Sequence, residues 1–156
     1  MNESWASSDA ARRTMQANRS RDTKAELAVR RLVHAQGLRY RVNARPEPSL
    51  ARTADLLFAT PRVAVFLDGC FWHGCPQHST IPRANREYWA SKLQRNRERD
   101  LDTTQRLEER GWVVLRFWEH EAPSAVADQI GQVVRSRRER LRTEISSPAW
   151  PRPPGS

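Results

Sequence analysis

The chain has 156 residues, with 27 Lys or Arg against 18 Asp or Glu and a net charge of +9. That length suits one domain with one core, and the lack of any apolar run near the ~20 residues that cross a bilayer argues against membrane insertion. Only Lys24 and Lys92 are lysine, so the excess is arginine, whose planar fork suits paired hydrogen bonds to phosphates and base edges; an arginine-rich genome is the bland alternative.

Residues 1–11 are small and polar and are expected to be flexible, as is the proline-rich tail 146–156. Between them, residues 12–145 read as one domain. Thr23 and Glu26 form a capping-box pattern opening a helix through about Gln36, with Gly37 as its stop. Thr53 to Ala59 and Arg62 to Leu67, split by Thr60-Pro61, read as a hairpin. A long polar helix from about Arg86 to Arg110 ends at Gly111. A strand, Trp112 to Trp118, follows it, and a last helix runs from about Ser124 to Arg140. The order is helix, two strands, helix, strand, helix, which predicts mixed α/β layering.

The densest chemistry lies in residues 69–78, Gly-Cys-Phe-Trp-His-Gly-Cys-Pro-Gln-His, where a buried strand gives way to a loop. Cys70, Cys75 and His78 have a spacing that folds three ligands around a tetrahedral ion. His120, after the other apolar strand, is the candidate fourth ligand. Two thiolates and two imidazoles would make a closed structural Zn2+ site; inert cysteines or a local disulfide are the alternatives. His73, between the cysteines, is either a base near neutral pH or a satisfied core histidine. Asp55, on a strand, is a hard oxygen donor suited to magnesium beside a phosphate, or else a strand-end turn residue.

The run Asp68 to His78, with Asn85-Arg-Glu-Tyr-Trp89, Asn96-Arg-Glu-Arg-Asp100 and Gly111 to His120 downstream, resembles the very short patch repair (Vsr) endonuclease family. Met15, Arg21 to Glu26 and Ala54-Asp55 are similar to that family in the same order, so the likeness covers about residues 12 to 135. It implies a restriction-endonuclease-like fold, a central mixed sheet flanked by helices. It also implies Mg2+ held by Asp55 and the backbone carbonyl of Leu67, His73 as the group that orients or deprotonates the attacking water, and Glu26 holding water around the metal. The last role competes with capping. Asn96 and Asp100 lie four apart on one helical face, and the family's residues at this spacing approach the active site; a solvated face is the alternative. Phe71, Trp72 and Trp89 match residues that wedge between base pairs, with core packing as their alternative. Trp112 and Trp118 are assigned to packing. Arg12, Arg13, Met15, Arg19 and Arg21 are similar to a basic arm with one apolar wedge, or form a disordered tail. Asp68 stands where some members have histidine, and Ala54 replaces a proline that often precedes the aspartate.

The activity implied is a Mg-dependent DNA endonuclease of bacterial cytoplasm, associated with the nucleoid. It would nick one strand 5′ of the thymine in a T:G mismatch left by 5-methylcytosine deamination. Its partners would be double-stranded DNA, a cytosine-5 methyltransferase in a functional link, and other repair proteins. A related restriction-associated nickase with another trigger is the nearest alternative. A zinc-stabilised DNA-binding module without catalysis is the more distant one, and it would have no need of Asp55 or His73.

Overall fold

The computed structural model describes residues 23–69 and 83–146. Their order is α1 (Lys24–Ala35), β1 (Arg41–Ala44), β2 (Ala54–Phe58), β3 (Val63–Asp68), α2 (Arg86–Glu109), β4 (Val113–Trp118) and α3 (Pro123–Ser146). The sheet runs β1-β2-β3-β4. β1 and β3 are antiparallel to β2, while β4 is parallel to β3 with Asp68 opposite Trp118. The result is the mixed sheet with flanking helices that the sequence predicts.

Alternation along the strands sorts the core into two parts. Val63, Val65, Leu56, Phe58 and Phe117 pack with Val29 and Val33 of α1 and with Val126, Ile130 and Val134 of α3. Ala64, Phe66 and Leu57 point the other way and pack with Leu107 of α2, Leu50 and Trp112. Because helices cover both faces, β3 is a continuous apolar run rather than an alternating one.

The helix ends follow local chemistry. Thr23 Oγ1 accepts the backbone N–H of Glu26 at 3.3 Å, which caps α1. Gly37 and Gly111, both at positive φ, end α1 and α2 where a side chain would be strained. The loop that delivers the chain to β2 is pinned at Glu47, whose carboxylate accepts the indole N–H of Trp112 at 2.7 Å and Arg62 at 3.1 Å. Trp112 is thus a packing residue, as expected, and Arg62 also lies over its ring.

Two expectations need correction. β1 is a strand the sequence reading missed. It has four residues, two of them exposed, and Asn43 sits at φ 48, so neither apolar alternation nor length marks it. The last helix runs to Ser146 rather than Arg140, because nothing in Leu141-Arg-Thr-Glu-Ile-Ser146 stops a helix before Pro148 arrives. The segment 1–11, expected to be flexible, the arm residues and the tail beyond Ser146 lie outside the described residues.

Candidate active site

Asp55 occupies the second position of β2, beside the C-terminal end of β3, and its Oδ2 accepts the backbone N–H of Leu67 at 2.6 Å. The strand pairing therefore fixes the carboxylate directly against the residue whose carbonyl was expected to share its metal. Burial pushes the Asp55 carboxyl up from 3.8 to about 6. The Leu67 hydrogen bond works against that rise, Glu26 and Asp68 add to it by charge repulsion, and Arg30 opposes it.

Glu26 comes to this place from α1. It is 7% exposed, and its Oε2 accepts Arg30 Nη2 at 3.3 Å, one helical turn on. The cap uses the backbone N–H of Glu26, while its carboxylate meets Arg30.

A cleft of about 370 Å³ opens beside Asp55, lined in part by Arg52, Asp68, Arg99, Asp100 and Arg116. Asp100 lines this cleft from α2. Asn96, one turn earlier, is half-buried on the same helix and does not line the cleft. Asp68 is 8% exposed and takes Arg116 Nη1 at 3.1 Å. The sequence reading noted Asp68 only as a departure and passed over Arg116, Arg52 and Arg99. The available signal was the charge of Arg116 inside the apolar strand Val-Val-Leu-Arg-Phe-Trp, since a buried arginine needs carboxylate partners.

Among the described residues, no group of three or more His, Cys, Asp or Glu side chains is arranged to hold a metal ion. The expected zinc ligands Cys70, Cys75 and His78 lie outside the described residues, as do His73, Phe71 and Trp72. His120 is exposed in the turn after β4. That turn is tied to β3, since the N–H of Glu119 donates to the Asp68 carbonyl at 3.0 Å. Trp89 corrects one expectation. It is 1% exposed and meets the ring of Tyr88 edge-on, 5.3 Å between centroids. A side chain enclosed to this degree packs within the protein and is not presented to a base stack.

With this geometry in place, comparison with known proteins is decisive. Residues 7–79 match the family model of the DNA mismatch endonuclease Vsr. The chain is 46% identical over 124 residues to the type II nicking enzyme V.NaeI of Lentzea aerocolonigenes, covering 76% of this chain and 75% of that one. The chain belongs to the Vsr family. It is also 40% identical over 132 residues to the type II nicking enzyme V.NmeDIP of Neisseria meningitidis serogroup C, covering 81% of this chain and 87% of that one. With the DNA mismatch endonuclease Vsr of Escherichia coli strain K12 it shares 36% identity over 111 residues, 69% of this chain and 67% of that one. The stretch matched by the Vsr family model holds Glu26, Asp55, Leu67 and the whole cysteine and histidine cluster, while Asn96, Asp100 and His120 lie beyond it. The family model and the Escherichia coli relative carry the name DNA mismatch endonuclease, and the other two relatives are named nicking enzymes, which supports a DNA endonuclease.

Proposed function

We propose that this protein nicks one strand of duplex DNA on the 5′ side of the thymine in a T:G mismatch arising from 5-methylcytosine deamination, and so starts very short patch repair. The observation that carries this reading is Asp55, a carboxylate buried beside two others in an arginine-lined cleft of a Vsr-family chain. Burial, with charge repulsion from Glu26 and Asp68 added to it, raises the Asp55 carboxyl to about 6, and a hard divalent cation would relieve the cost of that buried negative charge. Asp55 and the Leu67 carbonyl would hold Mg2+. When bound, it supplies charge stabilisation at the phosphate and a lowered pKa for water.

The protein's own groups do the rest. The Leu67 N–H fixes the Asp55 carboxylate in one rotamer. Glu26 raises the Asp55 pKa by charge repulsion and would hold water around the metal. Asp100 walls the cleft opposite, and His73 takes the proton from the attacking water. Arg52 and Arg99 along the cleft, and Arg12, Arg13, Arg19 and Arg21 with Met15 in the arm, hold the phosphate backbone. Phe71 and Trp72 wedge beside the mismatch, where unstacking costs least because pairing is already defective.

A structural Zn2+ on Cys70, Cys75, His78 and His120 belongs to the same reading. β3 and β4 run parallel and end side by side, so residues 70 and 120 leave neighbouring strand ends. One zinc per chain is expected, and His120→Ala should lower both zinc content and melting temperature, as metal binding is coupled to folding. Folded, active protein free of zinc on elemental analysis would remove this site.

A functional link to a cytosine-5 methyltransferase, and contact with other repair proteins, follow from the same lesion. The deciding experiment is cleavage of duplexes differing only in one mismatch and its neighbours. A single nick 5′ of thymine in T:G, with little cutting of T:A or C:G, is expected. Preference for a fully paired site would instead favour the restriction-associated nickase, which the nicking-enzyme relatives keep in view.

A further inference from the structure

We propose that Arg116 is a positioning residue of the cleft, clamping Asp68 and Asp100 to its wall so that Asp55 is the carboxylate left to take the divalent cation. This deepens the hydrolytic reading above and rests on it.

Arg116 projects from β4 onto the face of the sheet that carries Phe66, and its guanidinium carbon lies 4.4 Å from that ring's centroid. Every nitrogen is engaged. Nη1 donates to Asp68 Oδ1 at 3.1 Å and Oδ2 at 3.3 Å. Nη2 donates to the Asp100 carbonyl at 3.2 Å, and Nε donates to Thr104 Oγ1 at 2.9 Å. The Asp100 carboxylate lies 3.8 Å from Nη1. A single side chain on β4 therefore ties the end of β3 to the middle of α2. A guanidinium fixed at five contacts and only 22% exposed has no freedom to follow a phosphate backbone, unlike an arginine at the rim.

Charge explains why the site needs it. Asp68 follows Leu67 directly, raises the Asp55 pKa by repulsion, and is nearly as buried as any charged group described. A buried acid at this position brings a need for a local cation. Without Arg116, a buried carboxylate of matching chemistry would stand beside Asp55 with less of its charge compensated. It would then compete for the same ion. With Arg116, both Asp68 oxygens are turned to the guanidinium and the extra charge is cancelled.

The two partners should therefore shift cation affinity in opposite directions, which loss of structure cannot do. Calorimetric titration of the full chain with Mn2+, without DNA, is expected to show binding tightened about threefold or more in Arg116→Met and weakened by a similar factor in Asp68→Asn. The double variant should return to within about twofold of wild type. In single-turnover nicking, Arg116→Met should lower the rate about tenfold or more with DNA affinity little changed, and the double variant should recover much of that loss. Shifts of the same sign in both single variants would overturn the clamp, as would a double variant no better than Arg116→Met. If Arg116→Met fails to melt cooperatively, Asp68→Asn alone decides, because unchanged or tighter Mn2+ binding there contradicts the proposal. A wild-type chain that binds Mn2+ with this pattern yet nicks no duplex would sink the nuclease reading and leave the clamp standing.

Discussion

The two faces of the sheet are built on opposite terms. On the face covered by α1 and α3, aliphatic and aromatic side chains from five elements close into one dry cluster, Val33, Leu56, Phe58, Val63, Ile130 and Val134 among them, each 1% exposed or less. On the face covered by α2 the apolar cluster is smaller, and beyond Phe66 it gives way to Asp55, Asp68, Asp100 and Arg116 around open space. The first face supplies stability, and its stiffness lets the second hold like charges at close range. Mutations should therefore have opposite signs on the two sides.

The largest effect on stability belongs to the dry face. Ile130→Ala removes a fully buried side chain between α3 and the sheet and should cost about 2–5 kcal/mol. Denaturant unfolding checks this, and a loss comparable to a surface substitution would show that the α1 and α3 face is not the main core.

On the cleft face the sign reverses. The folded-state pKa of Asp55 is raised to about 6 from 3.8, so the folded protein holds its proton more tightly than the unfolded chain does. Its contribution to stability is fully present below about pH 4 and is lost as pH rises through about 6, a change of a few kcal/mol at most. Without divalent cations, Asp55→Asn should melt at or above the wild-type temperature at pH 7, and the gap should close toward pH 4. Added Mg2+ should stabilise wild type and not the variant. A variant less stable than wild type at pH 7 without metal would contradict the burial and charge repulsion that raise this carboxyl.

How much of this could be read beforehand differs between the faces in the same way. The hairpin of β2 and β3, the strand at β4 and the stops at Gly37 and Gly111 were legible, because apolar runs and glycines report local geometry. Asp55, Glu26 and Asp100 were picked out by resemblance; Asp100 lines the cleft with Asp55, whereas Glu26 is near enough to raise the Asp55 pKa but does not line the cleft. The clamp was not legible, since Asp68, Asp100 and Arg116 are far apart in sequence and meet only through the sheet register and the packing of α2. Trp89 was misread for a related reason. An aromatic on a polar helix looks available for binding until tertiary packing shows that it is enclosed. β1 escaped because its hydrogen bonds, not its side chains, make it a strand.

The central claim is that the cleft around Asp55 performs the hydrolysis while other parts of the chain bind DNA. Single-turnover nicking of a T:G duplex, measured with binding of the same duplex, tests it in wild type, Asp55→Asn and His73→Ala. Rates lowered about 10³-fold or more with binding within a few-fold are expected, because these groups act chiefly on the transition state. Rates within about tenfold of wild type in both variants would contradict it.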